Sequence, residues 1–232
     1  MGFASIVVGA TLLASPPEPP PHLAIGVGTD FPLDVAAFAR FEGPGRLRLT
    51  TSLGWMPRAY SDTLNTTLVE LGAYDELTGE LLSASLNNAL VWRTHVGWRP
   101  FPRSGFFFSG GYTLVTLGGD LTGAEAISAA TGREVPPSIA EALDVSAAST
   151  LHQASAELGW RWSVGGRFGI EAVLGGFYTF STSTQLTLES GNARFREELE
   201  PLLVAGEDYL DDTLGTYAHA GYVGLRFDYE LF

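Results

Sequence analysis

Large apolar residues alternate with small or polar ones along eight stretches of this chain, and the charges keep to one side of the alternation. In Gly215–Phe232 the odd positions Tyr217, Val223, Leu225, Phe227, Tyr229 and Leu231 are large and apolar, whereas Ala218, Ala220, Gly224, Arg226, Asp228 and Glu230 are small or charged. Successive side chains of a strand point to opposite faces, so this period of two gives a strand one apolar face and one cramped polar face. The pattern predicts strands over roughly 23–29, 33–42, 46–56, 89–99, 105–118, 151–163, 167–182 and 214–231.

The connections sort by length. Gly43–Pro44–Gly45, the run from Pro100 to Ser104, and Val164–Gly165–Gly166 are short and rich in turn formers. They alternate with long segments over 57–88, 119–150 and 185–213, and Asp30–Phe31–Pro32 is a short connection at the long-loop end. An up-and-down barrel has short turns at one end, long loops at the other and both termini on the turn side. A Greek-key sandwich has no reason to sort its connections this way.

The apolar face carries no Asp, Glu or Arg. It includes Ile25 and Val27, then Leu33, Val35, Ala37, Ala39 and Phe41, and further along Leu53, Trp55, Trp92, Leu158, Ile170 and Leu174. The other face holds Asp34, Arg40, Arg48, Arg93, His95, Arg99, Glu157, Arg161, Glu171, Arg226 and Asp228, interleaved with Gly and Ser. A solvated face would carry long Lys, Glu and Gln side chains. Small residues beside large polar ones suit the interior of an eight-stranded barrel, which is only wide enough for side chains to fill.

Aromatics gather at two heights: Trp98, Phe106, Trp160, Trp162, Phe168, Phe227 and Tyr229 near the turns, and Trp55, Trp92, Tyr112, Tyr178, Phe180 and Tyr217 near the loops. Two such girdles match the two membrane–water interfaces. The expected fold is therefore all-β: an eight-stranded antiparallel up-and-down transmembrane β-barrel with short periplasmic turns and three long, partly helical extracellular loops.

Composition narrows the functions. The net charge is −13: the three long segments carry −4, −4 and −6, the rest of the chain is +1, and every Lys/Arg cation is Arg. Acidic loops without a basic footprint argue against nucleic-acid binding. With no cysteine there is no disulfide framework and no thiolate chemistry. No apolar run reaches the length of a transmembrane helix. The apolar stretch Ala4–Ala14, followed by Ser15 and the proline run Pro16–Pro21, resembles an export signal leading into an extended linker. Residues 1–21 are accordingly set apart from a barrel domain over 22–232. Within the loops, Leu68, Leu71, Leu77, Leu81, Leu82 and Leu86, then Ile127, Val135, Ile139 and Leu143, then Phe195, Leu199, Leu202 and Leu203 fall at helical spacing and predict short amphipathic helices.

The stretch Tyr222–Val223–Gly224–Leu225–Arg226–Phe227–Asp228–Tyr229 resembles the C-terminal β-signal of bacterial outer-membrane proteins: a polar residue, Gly two positions on, then alternating large apolar residues. The terminal Phe232 adds to the likeness, although it is out of phase with Phe227, Tyr229 and Leu231. The resemblance, to small eight-stranded outer-membrane barrels, implies a bacterial outer-membrane location, contact with outer-membrane lipid, and insertion by the barrel-assembly machinery through Tyr222, Gly224, Phe227, Tyr229 and Phe232. It carries over no ligand, cofactor or catalytic residue.

Inside such a barrel Arg93, Glu157, Glu171 and Arg226 fall at similar depth, with Arg48 and Arg161 on the same face, and predict a buried salt-bridge network. Trp55, Trp92, Trp98, Trp160, Trp162, Phe168, Tyr178 and Tyr229 are the expected girdle. His152 and Ser155 have opposite parity, His219 has no acid on its face, and His95 lies near Arg93 and Arg99, so no Ser–His–acid set is expected. The run Glu207, Asp208, Asp211 and Asp212 reads as a solvated acidic loop rather than a cation site. The expected role is structural, or surface interaction with a ligand at the acidic loops. The alternatives are a narrow channel or carrier for small, hydrophobic molecules and, third, a lipid-modifying enzyme. Oligomeric state is not readable.

Overall fold

A computed structural model describes residues 20–70, 72, 89–101, 104–122, 144–188 and 193–232. Eight antiparallel strands close a barrel in chain order: β1 (His22–Phe31), β2 (Asp34–Glu42), β3 (Leu47–Trp55), β4 (Leu90–Trp98), β5 (Phe106–Thr122), β6 (Asp144–Val164), β7 (Phe168–Leu188) and β8 (Ala220–Glu230). β8 closes against β1, from Ala24 opposite Glu230 to Phe31 opposite Val223. Closure pairs the strand backbones all the way round, which is what a sheet without water around it needs. Among the described residues two α-helices lie on the loop side, α1 (Arg58–Glu70) and α2 (Ala193–Tyr217), and neither is long and apolar enough to cross a membrane.

The turn end is built from glycine. Gly45, Gly165 and Gly166 adopt φ of 70°, 65° and 88°, and Arg46 takes the same left-handed region at 63°. That conformation is open to glycine and costs a side-chain-bearing residue about 1 kcal/mol.

On the turn side of the bulge at His152/Gln153, alternate residues separate cleanly. Ile25, Val27, Leu53, Val96, Leu158, Leu174, Val223 and Phe227 point outward, and Arg40, Arg48, Arg93, Glu157, Glu171 and Arg226 are buried inside. Above that level the sheet inverts. β5, β6 and β7 run past the ends of β4 and β8, with Thr122 still opposite Asp144 and Val145 opposite Leu188. In this extension Ala148, Ser181, Ser183, Gln185 and Thr187 face outward, while Val115, Leu117, Leu151 and Leu186 are buried inward. The bulge, which leaves Phe180 without a partner in the β6–β7 register, marks the change.

Several boundaries differ from the sequence expectation. β6 begins at Asp144 rather than 151, and β7 continues to Leu188 rather than 182. β8 begins at Ala220: residues 214–217, expected as strand, end α2, so Tyr217 belongs to a helix and not to a girdle strand. Asp30 is not in a connection but in β1, buried in the lumen, and Leu33, expected on the lipid face, is buried with Phe107, Val173 and Tyr222. α2 spans the predicted stripe from Phe195 to Leu203. The stripes over Leu71–Leu86 and Ile127–Leu143 lie outside the described residues, as does the export-signal-like segment.

Candidate functional site

The lumen is filled in layers. Nearest the turns, Glu171 accepts from Arg40 Nη1 and Arg48 Nη2, each at 2.5 Å. Arg40 also donates to both oxygens of Asp228 at 2.9 Å, and Arg161 Nη2 reaches Asp228 at 2.8 Å and Glu230 at 2.7 Å. In the same layer Arg99 Nη1 holds Glu42 at 2.7 Å. The Arg48 guanidinium lies over the ring of the fully buried Phe107, 3.8 Å from its centroid. Gly159 gives that ring its space, because a Cβ there would fall on the Phe107 ring.

Nearer the loops, Arg93 Nη2 lies 2.6 Å from Asp30 and 2.7 Å from Asp34. Arg226 donates to Glu157 Oε2 at 2.7 Å and to Asp30 Oδ2 at 2.9 Å. Ser109 and Tyr222 add hydrogen bonds to Glu157 at 2.8 and 3.2 Å. The enclosed space beside Arg93, Asp30, Thr50, Ser52, His95 and Arg226 is only about 10 Å3, room for about one water. The neighbouring polar side chains are neutral: Gln153 donates to Thr179 at 3.0 Å, and Ser149 and Thr184 pair at 2.8 Å.

The mouth is apolar. Met56, Ala89, Val91, Val115, Leu117, Leu151 and Leu214 form one buried cluster, with Tyr60 of α1 and Ala218 packed on it. α2 covers the edge of β7 that β8 leaves unpaired. The Leu186 amide donates to Glu207 Oε1 at 2.8 Å, Thr182 Oγ1 donates to the Asp211 carbonyl at 3.0 Å, and Thr179 Oγ1 to the Ala218 carbonyl.

The six expected network residues thus all face the lumen, but their pairings differ from the grouping that depth alone suggested. Glu171 and Glu157 serve separate clusters, and Arg93 pairs with neither of them. Its partners Asp30 and Asp34, and Arg40 at the hub of the lower cluster, were not singled out by sequence reasoning. Alternation marked the lumen face of Asp34 and Arg40; Asp30 carried the signal too, as an acid two residues on from Gly28 with the parity of Gly26 and Gly28.

His95 stands between Ser155 and Glu157 without forming the hydrogen-bonded relay: its Nε2 lies 2.7 Å from Ser155 Oγ, but its Nδ1 lies 3.6 Å from Glu157 Oε1, beyond hydrogen-bond reach. The neighbours come from β4 and β6, with β5 between them. All three are buried, and Glu157 is already held by Arg226, so the array lacks an open side for a substrate and works as part of the lumen packing.

On the outside, all five tryptophans face outward, 41–57% exposed, together with Phe168, Tyr178 and Tyr229. Trp55, Trp92 and Tyr178 lie toward the loops; Trp98, Trp160, Trp162, Phe168 and Tyr229 lie toward the turns. Such an area of exposed Leu, Val and Trp would drive aggregation in water and is satisfied by hydrocarbon. In the last strand Tyr222 is buried in the lumen, Phe227 and Tyr229 face outward, and Phe232 lies beyond the strand, its carbonyl accepting from the Leu23 amide at 3.3 Å.

No family model matches the chain, and no curated protein matches it. Among solved structures it is similar to a major outer membrane protein from Thermus thermophilus, at 11% identity over 91% of this chain and 99% of the other, with a TM-score of 0.48. It is also similar to CarO from Acinetobacter baumannii (10% identity, 90% and 96% coverage, TM-score 0.32) and to CarO2 from the same organism (12%, 91% and 98%, TM-score 0.33). The barrel's own geometry carries the conclusion: a closed cylinder, apolar outside and ion-paired within, with short turns at one end, is a membrane-spanning eight-stranded β-barrel of the outer-membrane type.

Proposed function

We propose that this chain is a bacterial outer-membrane barrel with a closed interior, acting in envelope structure or in surface contacts made by its acidic loop side. The observation that carries this reading is the double seal of the lumen. Two separate Arg–carboxylate clusters, one above the other, cross it at membrane depth, and an apolar cluster that includes Leu214, at the α2 end, closes the mouth. Ions crossing such an interior would have to displace paired charges, and the buried partners left behind would cost several kcal/mol. On this reading the last strand also serves as the assembly signal, through Tyr222, Gly224, Phe227, Tyr229 and Phe232.

Planar-bilayer recording tests the closed state. The purified barrel should give no steady conductance. A stable current that persists in the native protein, and that changes in Glu171→Gln, would favour the channel reading instead. Among the described residues the buried Ser155–His95–Glu157 array is the foothold for the enzyme reading, and its enclosure weighs against it.

A further inference from the structure

We propose that the barrel seats one anionic phospholipid of the turn-side leaflet, with its acyl chains in a groove across β8, β1, β2 and β3 and its phosphate at the rim bearing Arg46 and Arg167. The site rests on the bilayer placement proposed above.

The groove has a volume of about 850 Å3 and an almost wholly apolar lining. Its floor is made by small residues: β2 presents Ala37 and Ala39, and β3 presents Thr51, between walls that include Val27, Leu53 and Phe227. Small side chains flanked by large ones leave the trough; a second, smaller one of about 570 Å3 lies over Ala154, Ala156, Gly176 and Ala220, away from Arg46 and Arg167.

The turn-side end of this trough leads to cationic charge. Phe168 and Tyr229 line it there, and the Tyr229 hydroxyl accepts from Arg167 Nη1 at 3.2 Å. Arg46 stands at the β2–β3 turn, its Nη1 donating to the Pro100 carbonyl at 2.9 Å. The side-chain carboxylates described at this rim turn inward and are already engaged, Glu42 with Arg40 and Arg99 and Glu230 with Arg161. The opposite end of the molecule exposes Asp62, Glu70, Glu200, Asp208 and Asp212. An anionic headgroup is therefore attracted at the turn rim and repelled at the loops, and hydrocarbon below that headgroup meets the trough.

Native mass spectrometry, on barrel extracted from vesicles of equal phosphatidylglycerol and phosphatidylcholine, reads this directly. The native chain should retain phosphatidylglycerol over phosphatidylcholine. Arg46→Gln with Arg167→Gln should lower that preference by about fivefold or more, the scale expected for a basic residue at an anionic surface. Ala39→Trp, which fills the trough, should reduce retention of both lipids, and loop-side Arg58→Gln should leave the preference as it was. Equal retention by the native chain, an unchanged preference in the double arginine variant, or full retention in Ala39→Trp would overturn the site. A chain that inserts in vesicles yet shows any of these outcomes loses the lipid site alone; a chain that does not insert loses the bilayer reading as well.

Discussion

Arg226 and Glu157 face each other as a two-pronged pair in the lumen, Nη1 to Oε1 at 3.2 Å and Nη2 to Oε2 at 2.7 Å. The two residues lie on β8 and β6 with β7 between them, so the pair ties together strands that share no backbone hydrogen bonds. Glu157→Ala leaves a buried guanidinium with only Asp30 to answer it. Removing one member of a buried pair costs about 3–5 kcal/mol. Urea unfolding in lipid vesicles should show that loss, and the double variant with Arg226→Ala should recover part of it. An unchanged unfolding midpoint would remove the network from the account.

Gly159→Ala should destabilise the barrel without touching any charge. The added Cβ would fall on the Phe107 ring, and that ring cannot retreat while the Arg48 guanidinium lies 3.8 Å above its centroid. Overpacking of this kind costs about 1–3 kcal/mol. The same unfolding experiment measures it, with Gly118→Ala as the control, since nothing lies within 4 Å of a Cβ placed there.

The lipid-facing strands were legible because hydrocarbon disfavours charged side chains, so alternation at that depth is nearly unbroken from Ile25 to Leu231. The strand extensions were not legible, for the same physical reason. Beyond the girdle Ser183, Gln185 and Thr187 face water while Leu151 and Leu186 face inward, and the bulge at His152/Gln153 shifts the phase between the two regimes. Residues 214–217 were misread because Leu214 and Tyr217 are as apolar in the last turn of α2 as a strand would require. Network membership could be read from parity and depth, but pairing could not. Arg40 meets Glu171 and Asp228 across 131 and 188 residues of chain, and only the tilt and register of the closed sheet bring them together.

Glu207 acts as a strap on the β7 edge. Its carboxylate takes the Leu186 amide that β8 is too short to pair, a charge-assisted bond worth about 1.5–3 kcal/mol. In Glu207→Ala, hydrogen exchange at the Leu186 amide should speed up roughly 10- to 100-fold. Amides of β3 and β4 at membrane depth should keep their protection. Unchanged exchange at Leu186 would mean that the edge is guarded by something other than this carboxylate.

Ser155 should be inert toward serine-directed reagents in the folded barrel. Its hydroxyl is held by His95 and Thr113, at 2.7 and 3.1 Å, and the residue is buried. A fluorophosphonate probe should leave the native chain unlabelled. Labelling that disappears in Ser155→Ala would revive the hydrolase reading.

Quenching of tryptophan fluorescence by brominated acyl chains tests the central claim most directly, because all five indoles point outward from the sheet. In vesicles of brominated lipid the emission should fall strongly, and unbrominated lipid should restore it. Emission that ignores the bromine would mean that hydrocarbon does not wet the tryptophan-bearing face, and the membrane-spanning account would be wrong.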